Sequence, residues 1–280
     1  MSATVLYKYK DLFGDGIDHV EAMLCENKVW FSSPLDFNDP FDCRCVYEIG
    51  MSREEILRRK ASFLSKRKGF TLSDAFAAAD AKIPKSSEGI DQWQRAQIAG
   101  HNKRAENSGI FCLTSMHNNF NMWTHYARNH SGVCIQFRIQ DEKTDAHIDF
   151  ISNAFPVEYS DRCPQINFIR DDILEITRKA FLTKSTAFSH ENEYRIVRYN
   201  EGSGLKTIPE GIIGAVILGC NVDSTAQLRV VLACRKYDAV MPIFKAELEP
   251  QTFGLRFIPL ESRTVQPPMQ SARYRTQAGK

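Results

Sequence analysis

The sequence Gly-Ile-Ile-Gly-Ala-Val-Ile-Leu occupies residues 211–218. A nearly continuous apolar run of this length predicts a central strand that is covered on both faces. An amphipathic helix is predicted over residues 224–236, and two more strands over residues 241–248 and 253–260. This order of elements predicts that the apolar strand belongs to a mixed sheet with helices packed against it.

Strand patterns also dominate the chain that precedes this segment. Alternating residues and short apolar runs between turn residues predict strands at residues 4–9, 28–32, 42–49, 109–114, 132–139, 148–159 and 193–199. Helices are predicted over residues 17–27, 119–129 and 171–181. The sequence therefore predicts an α+β fold with a mixed, mainly antiparallel sheet and flanking helices.

A helical block at residues 51–107 interrupts the strand-rich chain. Ser52 and Glu55 have the spacing of a capping box, and three helical segments follow. We interpret this block as an insertion packed beside the sheet, within a single α+β domain over residues 1–260. The chain beyond Glu261 has four basic residues and no acidic one, and a mobile basic tail is predicted over residues 261–280.

Charge and cysteine content exclude several classes of protein. The 36 Lys and Arg residues against 34 Asp and Glu residues give a net charge of +2, which excludes a histone-like, polybasic protein. The apolar runs are far shorter than the roughly 20 residues of a membrane-spanning helix, and the amino-terminal residues lack a signal-peptide core. The eight cysteines show no Cys-x-x-Cys pair and no zinc-ligand spacing. We therefore expect a cytoplasmic protein with reduced cysteines, no membrane association and no metal ligands.

Four common catalytic signatures are missing from the sequence. It contains no G-x-G-x-x-G, no G-x-x-x-x-G-K-[ST], no H-E-x-x-H and no G-x-S-x-G. Their absence argues against a Rossmann dehydrogenase, a P-loop ATPase, a zincin and an α/β-hydrolase.

Two segments are specific enough to suggest a relationship. They are Phe-Asn-Asp-Pro-Phe-Asp at residues 37–42 and Met-Trp-Thr-His-Tyr-Ala at residues 122–127. With Lys184 and shorter segments at 6–9, 31–34, 109–113, 130–137, 191–196, 217–220 and 243–246, they resemble the bacterial domain of unknown function 2971 family. The family pattern has an aromatic residue shortly after the lysine, and Phe188 takes that place here. The resemblance extends from residue 4 to about residue 260 and implies no activity by itself.

Glu191 and Glu193 are the leading candidates for catalytic residues. Two carboxylates at i and i+2 at the start of a strand point to the same side, and repulsion between like charges raises the pKa of one. Such a pair suits acid–base catalysis or stabilisation of a cation. It is similar to the E-x-E motif of ADP-ribosyltransferases, in which the second glutamate binds the nicotinamide ribose and the first helps to activate the acceptor.

The elements near the amino terminus follow the order found in ADP-ribosyltransferases. A strand with Tyr7 and Lys8 precedes a helix and then a strand that leads to Ser32, although Lys8 stands where such enzymes usually have Arg or His. The resemblance implies NAD as cofactor, held by Tyr7, Lys8 and Ser32, with Lys184 binding a phosphate group. Glu193 would stabilise an oxocarbenium-like ribose while Glu191 orients or deprotonates the acceptor. It further implies an effector that acts on nucleic acid or protein in a toxin or phage-defence context.

Three further polar residues are candidates for cofactor binding. Asn38 and Asp39 lie in a loop that can hold a nucleotide or a divalent cation, or that can form an Asx-turn anchored by its aromatic residues. His125 can line a cleft, although a single histidine is more often structural.

Two other functions stay open at this point. Asp39, Asp42, Glu191, Glu193 and Lys184 suit a Mg²⁺-dependent nuclease, although the usual E-x-K pattern is here Glu193-x-Arg195. The same residues can instead only connect loops in a non-catalytic sensing or protein-interaction module, with Glu191 exposed and Glu193 paired to Arg195 or Lys184. The basic face at residues 53–68 fits either a solvated surface or a contact with nucleic-acid phosphates.

Overall fold

The computed structural model describes residues 5–138 and 145–260. The tail predicted over residues 261–280 lies outside them. The strands within these ranges are β1 (Val5–Lys10), β2 (Lys28–Phe31), β3 (Val46–Tyr47), β4 (Gly109–Thr114), β5 (Val133–Arg138), β6 (Phe155–Pro156), β7 (Glu158–Ser160), β8 (Gln165–Ile166), β9 (Thr183–Ser185), β10 (Glu193–Arg198), β11 (Gly204–Thr207), β12 (Ile213–Leu218), β13 (Ile243–Leu248) and β14 (Leu255–Pro259).

Helices separate most of these strands along the chain. They are α1 (Asp15–Glu26), α2 (Arg53–Lys68), α3 (Leu72–Asp80), α4 (Ser87–Glu106), α5 (Phe120–His125), α6 (Asp145–Ser152), α7 (Ile173–Phe181) and α8 (Ser224–Tyr237), with 3₁₀ helices at Pro34–Asp36 and Thr186–Glu191. None of the helices within the described ranges has the length and apolar character needed to cross a membrane.

Eight strands form one sheet in the order β14-β13-β12-β5-β1-β4-β10-β6. Neighbouring strands are antiparallel except β12 and β13, which are parallel and connected through α8. All six residues of β12 are buried, so the predicted central strand is confirmed. The predicted α+β fold with a mixed, mainly antiparallel sheet and flanking helices is also confirmed.

Helices cover both faces of this sheet. On one face, α1, α6 and α8 pack against strand residues that include Leu6 and Phe111. On the other face, α5 places the buried Trp123 against Tyr9, and α7 places Phe181 beside the start of β4. Successive side chains of a strand point to opposite faces, so each strand near the middle of the sheet contributes to both layers.

Two of the predicted strands are wrong over most of their length. The strand predicted over residues 148–159 is α6 followed by the short β6 and β7. His147, Phe150 and Ile151 are buried at helical spacing, so packing against the core favours a helix there. The strand predicted over residues 42–49 is reduced to β3, because residues 39–44 form two successive turns and Cys43 has a φ of 55°.

The block at residues 51–107 forms the three helices α2, α3 and α4. Its predicted capping box is present, since the Glu55 amide donates to Ser52 Oγ at 3.3 Å and the Ser52 amide donates to Glu55 Oε2 at 3.0 Å. The helices enclose a core that is separate from the layers on the sheet and consists of Met51, Ile56, Ala61, Ala75, Ala79, Ile83 and Ile90. The block is therefore stabilised largely by its own packing.

The edge of β4 is shared by two strands. β1 pairs with it at one register position, with Tyr7 opposite Thr114. Four residues earlier along β4, the amide and carbonyl of Ile110 exchange hydrogen bonds with those of Ser32, directly after β2. β1 and β2 therefore diverge along this edge, and α1 connects them.

A lysine side chain fills the gap between the two strands. Lys8 Nζ donates to the carbonyl oxygen of Cys112 at 2.9 Å, midway between the two points of strand pairing. The hydrogen bond satisfies a carbonyl group that would otherwise be left without a strand partner. The rest of the gap opens into a cavity.

The separate core of the helical block leads to a stability prediction. Ile56 has no exposed surface, and Ile56→Ala is expected to lower the free energy of unfolding by about 2–5 kcal/mol because it creates a cavity. Leu72→Ala, on a residue of the same block that is 66% exposed, is the control and should change it by less than about 0.5 kcal/mol. Urea unfolding of both variants measures the difference, and equal effects would contradict the assignment of this core.

Candidate active site

The gap between β1 and β2 continues into a cavity of about 380 Å³. Small-molecule sites commonly have volumes of this order. The walls come from β1, α1, β2, the loop at residues 36–42, β4, α5 and the segment from Lys184 to Arg195. Aromatic side chains, among them Tyr7, Phe111 and Tyr126, alternate in these walls with charged groups. The cavity therefore offers both flat apolar surface and fixed charge.

Lys184 is the centre of a buried ionic cluster at one end of the cavity. Its Nζ lies 2.5 Å from Glu191 Oε2, 3.0 Å from Glu193 Oε2 and 3.7 Å from Asp42 Oδ2. The centroid of the Phe188 ring is 4.7 Å from the same ammonium group, so this aromatic residue does lie beside the lysine. Three carboxyl groups thus meet at one ammonium group, and all four side chains are buried.

Arg195 connects this cluster to the loop that precedes β3. Its guanidinium group donates to both carboxylate oxygens of Asp42, at 2.8 and 2.7 Å, and to both of Glu193, at 2.8 and 3.1 Å. It also donates to the carbonyl oxygen of Phe181 at 2.8 Å, and its Cζ lies 5.3 Å from the centroid of the Phe37 ring. The side chain has no exposed surface. These contacts compensate the cost of burying the charge.

Glu191 reaches the cluster differently from the sequence prediction, which places both glutamates on one strand. It ends the second 3₁₀ helix, Asn192 then has a left-handed backbone with a φ of 44°, and Glu193 begins β10. Tyr126 Oη donates to Glu191 Oε1 at 2.6 Å, while Lys184 holds the other oxygen. Glu191 is only 3% exposed. The alternative is therefore wrong in leaving Glu191 exposed, whereas its pairing of Glu193 with Arg195 or Lys184 is confirmed, since Glu193 binds both.

The cations of the cluster control the pKa of Glu193. Burial, the largest single effect, raises the pKa of this carboxyl group, but Arg195 and Lys184 together outweigh it and lower the pKa to about 2. Burial by itself would lower the pKa of Lys184, whereas the charges of Glu193 and Glu191 raise it above its ordinary value. With three carboxyl groups against two cationic side chains, this end of the cavity favours a ligand group that bears positive charge.

The wall formed by β1 is basic. Lys8 and Lys10 are two residues apart, so their side chains leave the same face of the strand. Burial lowers the pKa of Lys10 and the charge of Lys8 lowers it further, while Asp11 and Asp15 offset part of this effect. An anion bound near both ammonium groups would relieve their repulsion. This wall is therefore suited to a phosphate group.

Eight of the nine predicted site residues lie in the cavity wall. They are Tyr7, Lys8, Ser32, Asn38, His125, Lys184, Glu191 and Glu193. Asp39 does not line the cavity: its Oδ1 accepts a hydrogen bond from the Phe41 amide at 2.9 Å, as in an Asx-turn. The structure therefore brings most of these residues together, while their roles in binding and catalysis stay predictions.

Sequence reasoning did not select several wall residues. Lys10 and Trp30 were passed over, and Tyr126 was treated only as part of a motif. Arg195 was considered as a salt-bridge partner and not as part of a site. Strand alternation contained a usable signal, because Arg195 is two residues after Glu193 and so faces the same side of β10. Tyr126 directly follows His125, which was selected.

The arrangement of carboxyl groups bears on the nuclease hypothesis. Among residues 5–138 and 145–260, no three His, Cys, Asp or Glu side chains are arranged as ligands for a metal ion. Asp42, Glu191 and Glu193 converge on Lys184 and Arg195, so a divalent cation would have to displace one of these charged groups.

The fold and cavity describe an α+β protein with a buried ionic cluster in the wall of a polar cavity. Residues 122–196 match the model of a family described as protein of unknown function (DUF2971). This segment covers roughly a quarter of the chain and contains Tyr126, Lys184, Glu191, Glu193 and Arg195. Searches among curated proteins and among solved structures found no match. The match supports the resemblance over this segment and assigns no activity.

The bidentate contact between Asp42 and Arg195 leads to a second stability prediction. Asp42→Ala leaves a buried guanidinium group without one of its two carboxylates, and the loss expected for breaking such a pair is about 3–5 kcal/mol in the free energy of unfolding. Glu247→Ala, which removes the partly exposed partner of Arg256, is the matched control and should have little effect. Urea unfolding compares them, and similar losses would show that the contact is not needed for stability.

The low pKa of Glu193 leads to a prediction of pH dependence. Since its folded-state pKa of about 2 lies below the ordinary value of 4.5, the ionised group stabilises the fold above pH 4.5, and this contribution is lost as the pH falls toward 2. The difference in unfolding free energy between the wild type and Glu193→Gln should therefore shrink across this window. Denaturant titrations at several pH values measure it, with Glu247→Gln as control. A difference that does not change with pH would contradict the prediction.

Proposed function

We propose that this chain is an ADP-ribosyltransferase-like enzyme that uses NAD. The observation that supports this most strongly is the meeting of Glu191 and Glu193 at one end of a cavity whose other walls carry Tyr7, Lys8 and Ser32. These are the residues to which the E-x-E resemblance assigns catalysis and NAD binding. They come from segments far apart in the sequence, so their convergence does not follow from the motif alone.

The cavity has features that fit a dinucleotide. Its volume is of the order used for small-molecule ligands. Lys8 and Lys10 provide positive charge for a diphosphate, and flat aromatic side chains provide surface for planar rings. His19 adds an imidazole ring to the wall of the cavity.

Bound NAD supplies a bond between nicotinamide and ribose whose cleavage leaves positive charge on the ribose. Glu193 is placed to stabilise that charge. Both of its oxygens are held by Arg195, and one of them also by Lys184, so the carboxylate is oriented before the ligand binds. Fixed groups of this kind stabilise a transition state without the cost of reorganisation.

Glu191 orients the acceptor and takes its proton. Tyr126 holds one carboxylate oxygen and Lys184 holds the other, which fixes the carboxylate beside Glu193. The proton that leaves the acceptor nucleophile passes to Glu191 when the new bond to the ribose forms. The acceptor itself, a nucleic acid or a protein, and the toxin or phage-defence context belong to this proposal through the resemblance.

A catalytic test uses Glu193→Gln, which keeps the shape of the side chain and removes its charge. We expect the release of nicotinamide from NAD to fall by about 100-fold or more, in line with the loss of a preorganised electrostatic group. Chromatographic detection of nicotinamide measures this, and Glu247→Gln is the surface control. Release by the Glu193→Gln variant within twofold of the wild type would overturn the proposal.

Two additional measurements complete this test. A thermal-shift titration with NAD shows whether Glu193→Gln still folds and binds, because saturating ligand raises the melting temperature by a few degrees. Nicotinamide release should also persist in EDTA. Mg²⁺-dependent cleavage of DNA or RNA that stops in EDTA, without release of nicotinamide from NAD, would favour the nuclease hypothesis.

A further inference from the structure

We propose that Trp30 and His19 form the adenine-binding end of the cavity, so that the enzyme recognises a whole dinucleotide and not a nicotinamide mononucleotide. This inference rests on the proposed function, because it assigns the half of NAD that the ionic cluster does not contact. Trp30 lies on β2 and His19 on α1, and both line the cavity that contains Glu193.

The two rings form a stacked pair. Their centroids are 5.2 Å apart and their planes differ by 28°. Val29 and Phe31, on either side of Trp30, are buried in the core, so strand alternation directs Trp30 away from it. The indole is 39% exposed. A flat ring thus faces the cavity, and stacking on such a ring is a common way in which proteins hold a base.

The pair lies away from the ionic cluster along β4. Ser32, on the same side of its strand as Trp30, bridges to Ile110, whereas Glu193 pairs with Thr114 at the other end of β4. Four residues of a strand span roughly 13 Å. The ammonium group of Lys8 lies between these positions, because it is bonded to the carbonyl oxygen of Cys112. A ligand with a base at one end, a diphosphate in the middle and a ribose at the other end matches this order.

The imidazole of His19 supplies the polar contact. His19 lines the cavity and its Nδ1 is buried, so contact with a ligand falls to the rest of the ring. Burial and the charge of Lys10 lower the pKa of His19, while three nearby aspartates offset part of the effect. In a neutral imidazole one ring nitrogen donates and the other accepts. An adenine edge offers both an amino donor and a ring-nitrogen acceptor, so it suits either tautomer.

The experiment measures binding of ADP, NAD and nicotinamide mononucleotide to the full chain by isothermal titration calorimetry. Trp30→Ala is expected to weaken the binding of ADP and NAD by tenfold or more and to change the binding of nicotinamide mononucleotide by less than twofold. Trp30→Phe, which keeps a flat ring, should stay within about threefold of the wild type. Trp93→Phe, in the helical block, is the matched control and should bind all three ligands as the wild type does.

A variant of the histidine separates stacking from hydrogen bonding. His19→Phe keeps a ring beside Trp30 and removes both nitrogens, and we expect it to weaken the binding of ADP severalfold. Melting temperatures of all variants establish that they fold. The assignment would be overturned if Trp30→Ala leaves the binding of ADP unchanged. It would also be overturned if this variant weakens the binding of nicotinamide mononucleotide as much as that of ADP.

The outcomes also distinguish this inference from the proposed function. If NAD binds equally well to the wild type and Trp30→Ala, the adenine site is wrong and the transferase proposal stands. If ADP binding depends on Trp30 but Glu193→Gln still releases nicotinamide at the wild-type rate, the adenine site stands and the transferase proposal fails. If none of the three ligands binds, both are wrong.

Discussion

Arg195 carries its positive charge in the interior of the protein, where no water reaches the guanidinium group. A charge in this position is tolerated only when carboxylates and carbonyl oxygens surround it. The groups that do so are Asp42 in a loop, Phe181 at the end of α7 and Glu193 on the same face of β10, two residues before the arginine. Satisfying one guanidinium group therefore fixes the loop, the helix and the site carboxylate relative to one another.

The same requirement explains why the strand predicted over residues 42–49 does not begin at Asp42. Asp42 must turn inward to reach Arg195, and the turns around Asp39 and Cys43 direct it there. Phe37 covers the guanidinium group from the opposite side. Three residues of the Phe-Asn-Asp-Pro-Phe-Asp segment thus have a physical role. Asp39 forms the turn, Asp42 binds Arg195 and Phe37 packs against the guanidinium group.

The sequence was sufficient for the elements that depend on local pattern and insufficient for those that depend on distant partners. The buried β12 and the capping box at Ser52 follow from apolar runs and residue spacing, and both are present. The helix α6 was predicted as a strand, because Ile148 and Phe150 alternate as well as they share a helical face, and only packing against the sheet decides between the two.

The candidate site shows the same division. Motif comparison selected most residues of the cavity wall, but the contact between Tyr126 and Glu191 joins residues 65 positions apart, and no local pattern in a single sequence encodes such a pairing. The link between Asp42 and Arg195 spans 153 positions. Asp39, by contrast, follows the Asx-turn alternative, because its carboxylate binds the backbone amide two residues further on.

The two walls of the cavity are attached to the protein in different ways. Glu193 lies on β10, which pairs with β4 over six consecutive residues. Trp30 lies on a two-stranded ribbon of β2 and β11, joined to the main sheet by the single bridge of Ser32. The ribbon is also held by side-chain packing, because Val29 and Phe31, on either side of Trp30, are buried in the core. A long run of strand pairing therefore holds the Glu193 wall of the cavity, whereas one bridge and hydrophobic contacts hold the Trp30 wall.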